Sequence, residues 1–419
     1  MKINLNKSHI GDKFICFIVC LIVISLYIIN ITHSLGNTMS VKSSDISMVF
    51  KILIGIGFII SIPIVIHRFT YHMLLYTLTL LTVVVLNILI FPENNSYFVD
   101  NTITYFSFCF SACILVCVNK KKEILIKYLN SVACIIAVIN LAVLFLTVTS
   151  RVAMADDVGY SMGFGYACIV PALLLVKDIY IKSSIYNIIG FIGLIIAIIM
   201  YGSRGPLLCV GLFILYLFSK DIFSKNKLIP LVLSFLGIIF IMIYKDLLRL
   251  LNEILSDHFG VYSRTLNIFL VDDVHLSGRD FIYGTLLSEI FNSPFTIRGI
   301  NAEWRVIGTY AHNIIIEICY QFGLIFGIFI LSYIAYVAIK NLKCDLVKDV
   351  DILKLIFLFA SLPALVVSGS LWSSYYFWIW IGLNMGKGDI AGDSSVYETK
   401  KHNINRNLDN IKNFHVENH

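Results

Sequence analysis

Residues 185–220 read IYNIIGFIGLIIAIIMYGSRGPLLCVGLFILYLFSK. Two uncharged apolar runs, 185–201 and 206–219, flank a Gly-Ser-Arg-Gly turn. A bilayer span needs about 20 apolar residues, every backbone group satisfied within the helix. The stretch therefore predicts two membrane helices joined by a tight hairpin. Similar runs extend in both directions, near 14–31, 47–66, 71–91, 102–118, 124–148, 163–181, 228–244, 313–339, 352–368 and 371–386. The expectation is an all-α polytopic membrane protein of about twelve transmembrane helices. Helices 1–9 occupy 1–244, a large extracytoplasmic loop occupies 245–311, helices 10–12 occupy 312–386, and a polar cytoplasmic tail occupies 387–419.

Composition agrees with this reading. The 419 residues are 58% hydrophobic and only 14% charged, against about a quarter charged in a soluble domain. The run Phe14 to Ile31 has no small-residue cleavage site after it and reads as a signal anchor that stays as the first helix. Nine of the ten cysteines lie in or beside apolar runs. Cys109, Cys113 and Cys117 share a helix face, which is read as small apolar packing rather than a metal stripe. No internal repeat is visible, which counts against an inverted-repeat transporter.

Orientation follows the cations. With Met1 inside, lysines crowd the inner segments (Lys120, Lys121, Lys122, Lys225, Lys227 and the tail among them), so both termini are expected in the cytoplasm. The outer segments carry fewer cations, mostly arginines: Arg151, Arg204, Arg249, Arg264, Arg279, Arg298 and Arg305. Arginine presents a planar fork suited to phosphate or carboxylate. The outer loop is not low-complexity linker. Asp246 to His258 reads as an amphipathic helix and Gly278 to Phe291 as another, a structured lid of the kind that covers a site.

Three motifs carry chemistry. Tyr201-Gly202-Ser203-Arg204-Gly205-Pro206 sets Arg204 at a helix start, beside free N–H groups that favour an anion. The alternative is a turn whose arginine anchors to lipid headgroups. Ser277-Gly278-Arg279-Asp280 lies in the large loop, flanked by Arg264, Arg298 and Arg305. The alternative there is a solvated loop with Arg279 neutralised by Asp280 or Asp273. Ala311-His312-Asn313 precedes Glu317 and Gly323 where the chain re-enters the membrane. His312 has the chemistry of a general base, or else of a helix cap or interfacial histidine. The alternative bases nearby are Asp280, Glu303 and Glu317, the last of which could instead orient the His312 ring. The aromatic stretch Trp372 to Trp378 is read as an interfacial belt rather than a sugar platform. Asp156 and Asp157 near Arg151 are read as a solvated loop. No phosphate-cradling glycine loop or metalloprotease motif is present.

Together Gly202-Ser203-Arg204-Gly205, Ser277-Gly278-Arg279, Asn292-Ser293-Pro294-Phe295 with Gly299, and His312-Asn313 with Gly323 resemble the Wzy-type O-antigen and capsular polysaccharide polymerases and the related O-antigen ligases. The likeness covers roughly 200–330 by motif and the whole chain by topology. One departure is Thr296-Ile297-Arg298-Gly299, where the family often has a glycine-rich turn. The resemblance implies a GT-C-type membrane glycosyltransferase in a bacterial cytoplasmic membrane, with no metal or other cofactor. Its substrates would be undecaprenyl-pyrophosphate-linked oligosaccharides at the outer leaflet, and undecaprenyl pyrophosphate would be released. Its partners would be membrane lipid, a chain-length regulator and a flippase, and no nucleic acid. On this reading His312, Arg204 and Arg279 are catalytic, and Arg204, Arg264, Arg279, Arg298, Asn313 and Glu317 bind substrate. The rival readings are an O-antigen ligase and a lipid-linked sugar flippase or other transporter. A transporter would want charges deep in several helices, whereas here nearly all lie at the ends of spans.

Overall fold

The computed structural model describes residues 2–34, 43–149, 162–182, 184–201, 204–222, 246, 249–250, 252–258, 270, 278–344, 346 and 348–386. All regular structure among these residues is helical. In chain order the main helices are α1 (Lys2–Ser34), α2 (Ser43–His67), α3 (Tyr71–Ile90), α4 (Asn95–Thr104), α5 (Ser111–Val118), α6 (Lys122–Thr149), α7 (Met162–Ala167), α8 (Ile169–Ile181), α9 (Ile185–Tyr201), α10 (Arg204–Ile222), α11 (Arg279–Asn292), α12 (Ala302–Ile307), α13 (Ile314–Leu342), α14 (Asp349–Val367) and α15 (Tyr375–Met385). A π-helical stretch, Tyr105–Phe110, joins α4 to α5 as one rod.

Eight helical stretches among the described residues are long and apolar enough to cross a membrane: Ile10–Thr32, Ser44–His67, Tyr71–Ile90, Asn101–Val118, Lys122–Phe145, Met162–Ile181, Ile314–Leu342 and Asp349–Val367. The chain is a polytopic helical membrane protein. The two apolar runs expected at 185–219 are helices, α9 and α10, neither of them among these eight, and residues 202–203 between them lie outside the described residues; the expected loop helix at 278–291 is α11. The expected span 228–244, the tail, Arg151, Asp156, Asp157, Arg264 and Asp273 lie outside the described residues.

One core runs through the bundle, built on α1, α5, α8, α14 and α15, while α2, α3 and the far end of α13 turn large apolar side chains outward. The Cys109, Cys113 and Cys117 stripe packs inward as expected, all three being buried. It makes room for α15: a Cβ on Gly382 would collide with the Cys113 carbonyl oxygen, so only glycine allows this approach. At the lysine-rich end Arg68 is more than a topology signal. It forms a two-pronged pair with buried Asp12 (2.5 and 3.3 Å) and also donates to the Val118 carbonyl. This joins α1, α2 and α5 at one end.

The tryptophan expectation is corrected. Trp372, Trp378 and Trp380 are buried, not arrayed at an interface. Each indole N–H has an acceptor inside the protein: Gln321 Oε1 (2.8 Å), the Leu371 carbonyl (2.9 Å) and Asn341 Oδ1 (2.7 Å) respectively. A buried indole is stable where its N–H is satisfied, and facing polar groups are invisible to a one-dimensional reading.

Two breaks shape the end of the bundle that meets α11 and α12. The chain leaves α14 at Ser368 and starts α15 only at Tyr375. The expected helix 371–386 is therefore 11 residues long, about 16 Å at 1.5 Å per residue and roughly half a bilayer core. Its approach is the irregular segment 368–374, of which Ser368, Ser370, Leu371 and Trp372 are buried. The second break is in α13 at Gly323 (φ 74°, ψ 163°). The loop after α11 fills it: Leu324 N–H donates to the Pro294 carbonyl (2.7 Å), and the Gln321 carbonyl accepts from Arg298 and Gly299 (both 3.0 Å). Backbone groups freed by breaking a membrane helix need such partners.

Candidate functional site

α11 and α12 rest on the outer-loop end of α13 around a second small core of Leu286, Ile290, Ala302, Ala311, Ile316, Cys319 and Tyr320. Gly278 takes φ 78° to start α11, so Arg279 is its first residue. From there Arg279 reaches the frayed end of α14, donating to the Val367 carbonyl (2.7 Å) and to Ser368 Oγ (3.2 Å). Those bonds use two of the five N–H groups of a guanidinium. The remainder have no acceptor among the described residues. Asp280, the expected neutraliser, forms no ion pair with it among the described residues.

His312 meets the same segment from the other side. It adopts φ 55°, its ring packs on Tyr310 at 4.0 Å between centroids, and its backbone carbonyl accepts from Tyr283 (3.4 Å). Nδ1 is buried with no hydrogen bond among the described residues. Burial first, and the nearby Arg279 charge second, lower the pKa of the ring, against an opposing bond to the Ser368 backbone. His312 is therefore neutral at pH 7, with a ring nitrogen able to accept a proton.

Arg204 begins α10. The next residue, Gly205, packs so closely under the Tyr166 hydroxyl that a Cβ there would overlap it. Tyr166 in turn lies within electrostatic reach of Ser368, Arg279 and Tyr310. The arginine hairpin, the α11 start and the His312 turn, far apart in sequence, thus gather around Tyr166 and Ser368.

The remaining expected residues serve the fold. Asn313 caps α13, accepting from Ile315 and Ile316 (2.9 and 3.3 Å), and donates to the Val366 carbonyl (3.0 Å). Arg298 caps the end of α11 through the Glu289 and Ser293 carbonyls (2.7 and 3.3 Å) and lies over the Tyr320 ring at 4.7 Å. Glu317 is fully buried and accepts from Ser370 Oγ (2.7 Å) and Leu371 N–H (3.0 Å), holding the irregular segment.

Sequence reasoning passes over Gln321, Ser368, Ser370 and Tyr166, and offers Glu303 only as an alternative base near His312. Gln321 Nε2 donates to both Glu303 oxygens (3.1 and 3.0 Å), while its Oε1 accepts from Trp372. Burial, then the neighbouring Glu317, pushes the Glu303 carboxyl up to about 8. This acid, amide and indole chain ties α12, α13 and the irregular segment together. The one sequence signal for it was Ser368-Gly369-Ser370, a polar interruption in an apolar run.

A search of protein-family models, of curated proteins and of solved structures returns no match to this chain. The class that the fold itself defines is a many-helix membrane protein, with a basic, histidine-containing site where a structured loop layer meets the bundle.

Proposed function

We propose that this protein is a polysaccharide polymerase of the Wzy type. It would join undecaprenyl-pyrophosphate-linked oligosaccharide repeat units at the outer leaflet of a bacterial cytoplasmic membrane. The observation that supports this reading best is the meeting of Arg279 and neutral His312 on Ser368, beside the Arg204–Gly205 hairpin. An arginine with uncommitted donors suits a pyrophosphate leaving group. A neutral histidine beside it suits removal of a proton from a sugar hydroxyl.

In the proposed reaction the acceptor hydroxyl oxygen attacks the anomeric carbon of the donor chain. The carbon–oxygen bond to pyrophosphate breaks, and its electron pair leaves with undecaprenyl pyrophosphate. The hydroxyl proton passes to His312, and Arg279 and Arg204 stabilise the departing charge. The lipid carrier would lie along the bundle, with its head at the loop layer.

The test is a deletion strain paired with purified enzyme. A polymerase deletion leaves single repeat units on the surface, and purified protein lengthens lipid-linked units in vitro. Full-length polymer retained on its lipid carrier would instead identify a ligase. Loss of polymer, with lipid-linked repeat units trapped inside the cell, would identify a flippase.

A further inference from the structure

The loop layer carries an outward surface dominated by large apolar side chains. Leu286 and Ile290 of α11 are buried against α13, and the opposite face is fully turned out. Phe281, Gly284, Ser288 and Phe291 follow one another along that face at helical spacing, and Phe295 lies just beyond. The three phenylalanines are exposed at 70%, 74% and 70%. Ile297 is exposed too. The ionisable residues beside this face are Asp280, exposed in the first turn of α11, and Glu289, which accepts from Tyr320 and pairs with Arg298. A helix bathed in water normally sets charges on its outer face.

Two observations say what covers this surface. First, it is continuous with the lipid-facing side of α13: Leu324 is hydrogen-bonded to Pro294, and the next residues, Ile325, Phe326 and Phe329, are exposed apolar side chains of the span. Second, the Glu289 and Ser293 carbonyls at the end of α11 have partners inside the protein. Ser293 N–H donates to the Glu289 carbonyl, and Arg298 takes the Glu289 and Ser293 carbonyls. Lipid demands this of any backbone it touches, and water does not.

We propose that α11 and the segment to Ile297 lie in the membrane interface, with Phe281, Phe291 and Phe295 sunk among the acyl chains of the adjacent leaflet. The loop layer is then a monotopic anchor laid against the bundle. Its anchoring places Arg279, at the head of the same helix, at the level of lipid headgroups. The inference rests on surface chemistry alone and stands whichever reaction the site performs.

Nitroxide labels at Phe291→Cys and Phe295→Cys test it, in full-length protein with Cys134 and Cys344 replaced by serine. The protein is placed in nanodiscs of phosphatidylethanolamine and phosphatidylglycerol, with Phe329→Cys as the lipid reference. The expected result is oxygen collision within about twofold of the reference, with a water-soluble nickel chelate excluded at least about fivefold. Ready access by the nickel chelate would overturn the proposal in favour of a solvated loop. Exclusion of both reagents would overturn it in favour of a protein partner or a second copy. Phe295→Trp in the otherwise native chain is an independent check: brominated acyl chains should quench its added fluorescence, and no quenching counts against the proposal.

Discussion

His312 occupies left-handed backbone, which costs a non-glycine residue roughly 1–2 kcal/mol and which asparagine tolerates better than most. His312→Asn should therefore fold with near-native stability while removing the ring. If His312 is the base, the variant should lose at least about a hundredfold in rate. In the wild type the lowered histidine pKa sets the sign: the base is neutral above it, so polymerisation falls as pH drops through a value below 6.5. His312→Asn should lose that acid limb together with the rate. Initial rates with purified lipid-linked donor and acceptor, between pH 5 and 8, decide it. A variant that keeps a tenth of the wild-type rate would leave His312 a positioning role only. For Arg279, alanine should cost roughly 2–4 kcal/mol of transition-state stabilisation, about a hundredfold or more. Lysine should rescue poorly, since it cannot reproduce two divergent bonds to Val367 and Ser368 while also facing a ligand. Arg298→Ala should lower the melting temperature more than the rate, because its donors are spent on α11. A selective rate loss there, with stability intact, would instead return Arg298 to the site.

Among the elements, the joint between α13 and the preceding loop is the sharpest test of the fold. Gly323 has dihedrals that essentially only glycine adopts, and a Cβ there would meet the Phe295 and Thr296 carbonyl oxygens at 3.1 and 3.2 Å. Gly308 is also left-handed (φ 68°) but opens onto free space. Gly323→Ala should destabilise by more than about 2 kcal/mol and Gly308→Ala by about 1. Thermal unfolding in detergent ranks the two, and equal shifts would mean that the joint is looser than its hydrogen bonds indicate. This joint also shows where the sequence was readable. Apolar runs located α9, α10 and α13, and the turn glycine located the start of α11, because hydropathy and backbone conformation are local properties. The motif Pro294-Phe295 and the lone Gly323 were noted separately, and nothing local says that one plugs the other. For the same reason the capping bonds of Arg298 and Asn313 are not legible in the sequence: a cap and a binding group use the same donors, and only tertiary geometry shows the cap. Gln321 gives no local signal, and the burial and pairing of Glu303 are invisible because a buried acid looks like any loop acid until its partners are known.

At the scale of the whole molecule, Glu303 links loop docking to pH. Its folded pKa is raised from the ordinary 4.5 to about 8, so between those values the folded state holds a proton that the unfolded chain gives up. The stability this carboxyl contributes is complete below about pH 4.5 and is lost as pH rises through about 8. Melting temperatures of the purified protein should accordingly fall between pH 5 and 9. Glu303→Gln, which keeps the shape without the charge, should flatten the profile, and an unchanged slope would assign the effect elsewhere. Topology is the second global prediction. Reporter fusions at Lys225 and Asp349 should read cytoplasmic and one at Asp273 external, since lysines gather on one side and arginines on the other. A cytoplasmic signal at Asp273 would put the site on the wrong face for lipid-linked repeat units.

The break at Gly323 also bears on how the protein is made. α13 emerges from the ribosome as 29 residues of nearly unbroken hydrophobicity, and Gly323 alone does not oblige it to bend. The groups that receive its severed ends, the Pro294 carbonyl and the amides of Arg298 and Gly299, are synthesised earlier. A loop that docks as this helix arrives would let the helix be cut to length by its own predecessor. On that order of events, supplying residues 278–311 on a separate, later polypeptide should leave α13 threaded straight through the membrane, and a normally kinked helix would show that the loop can dock afterwards.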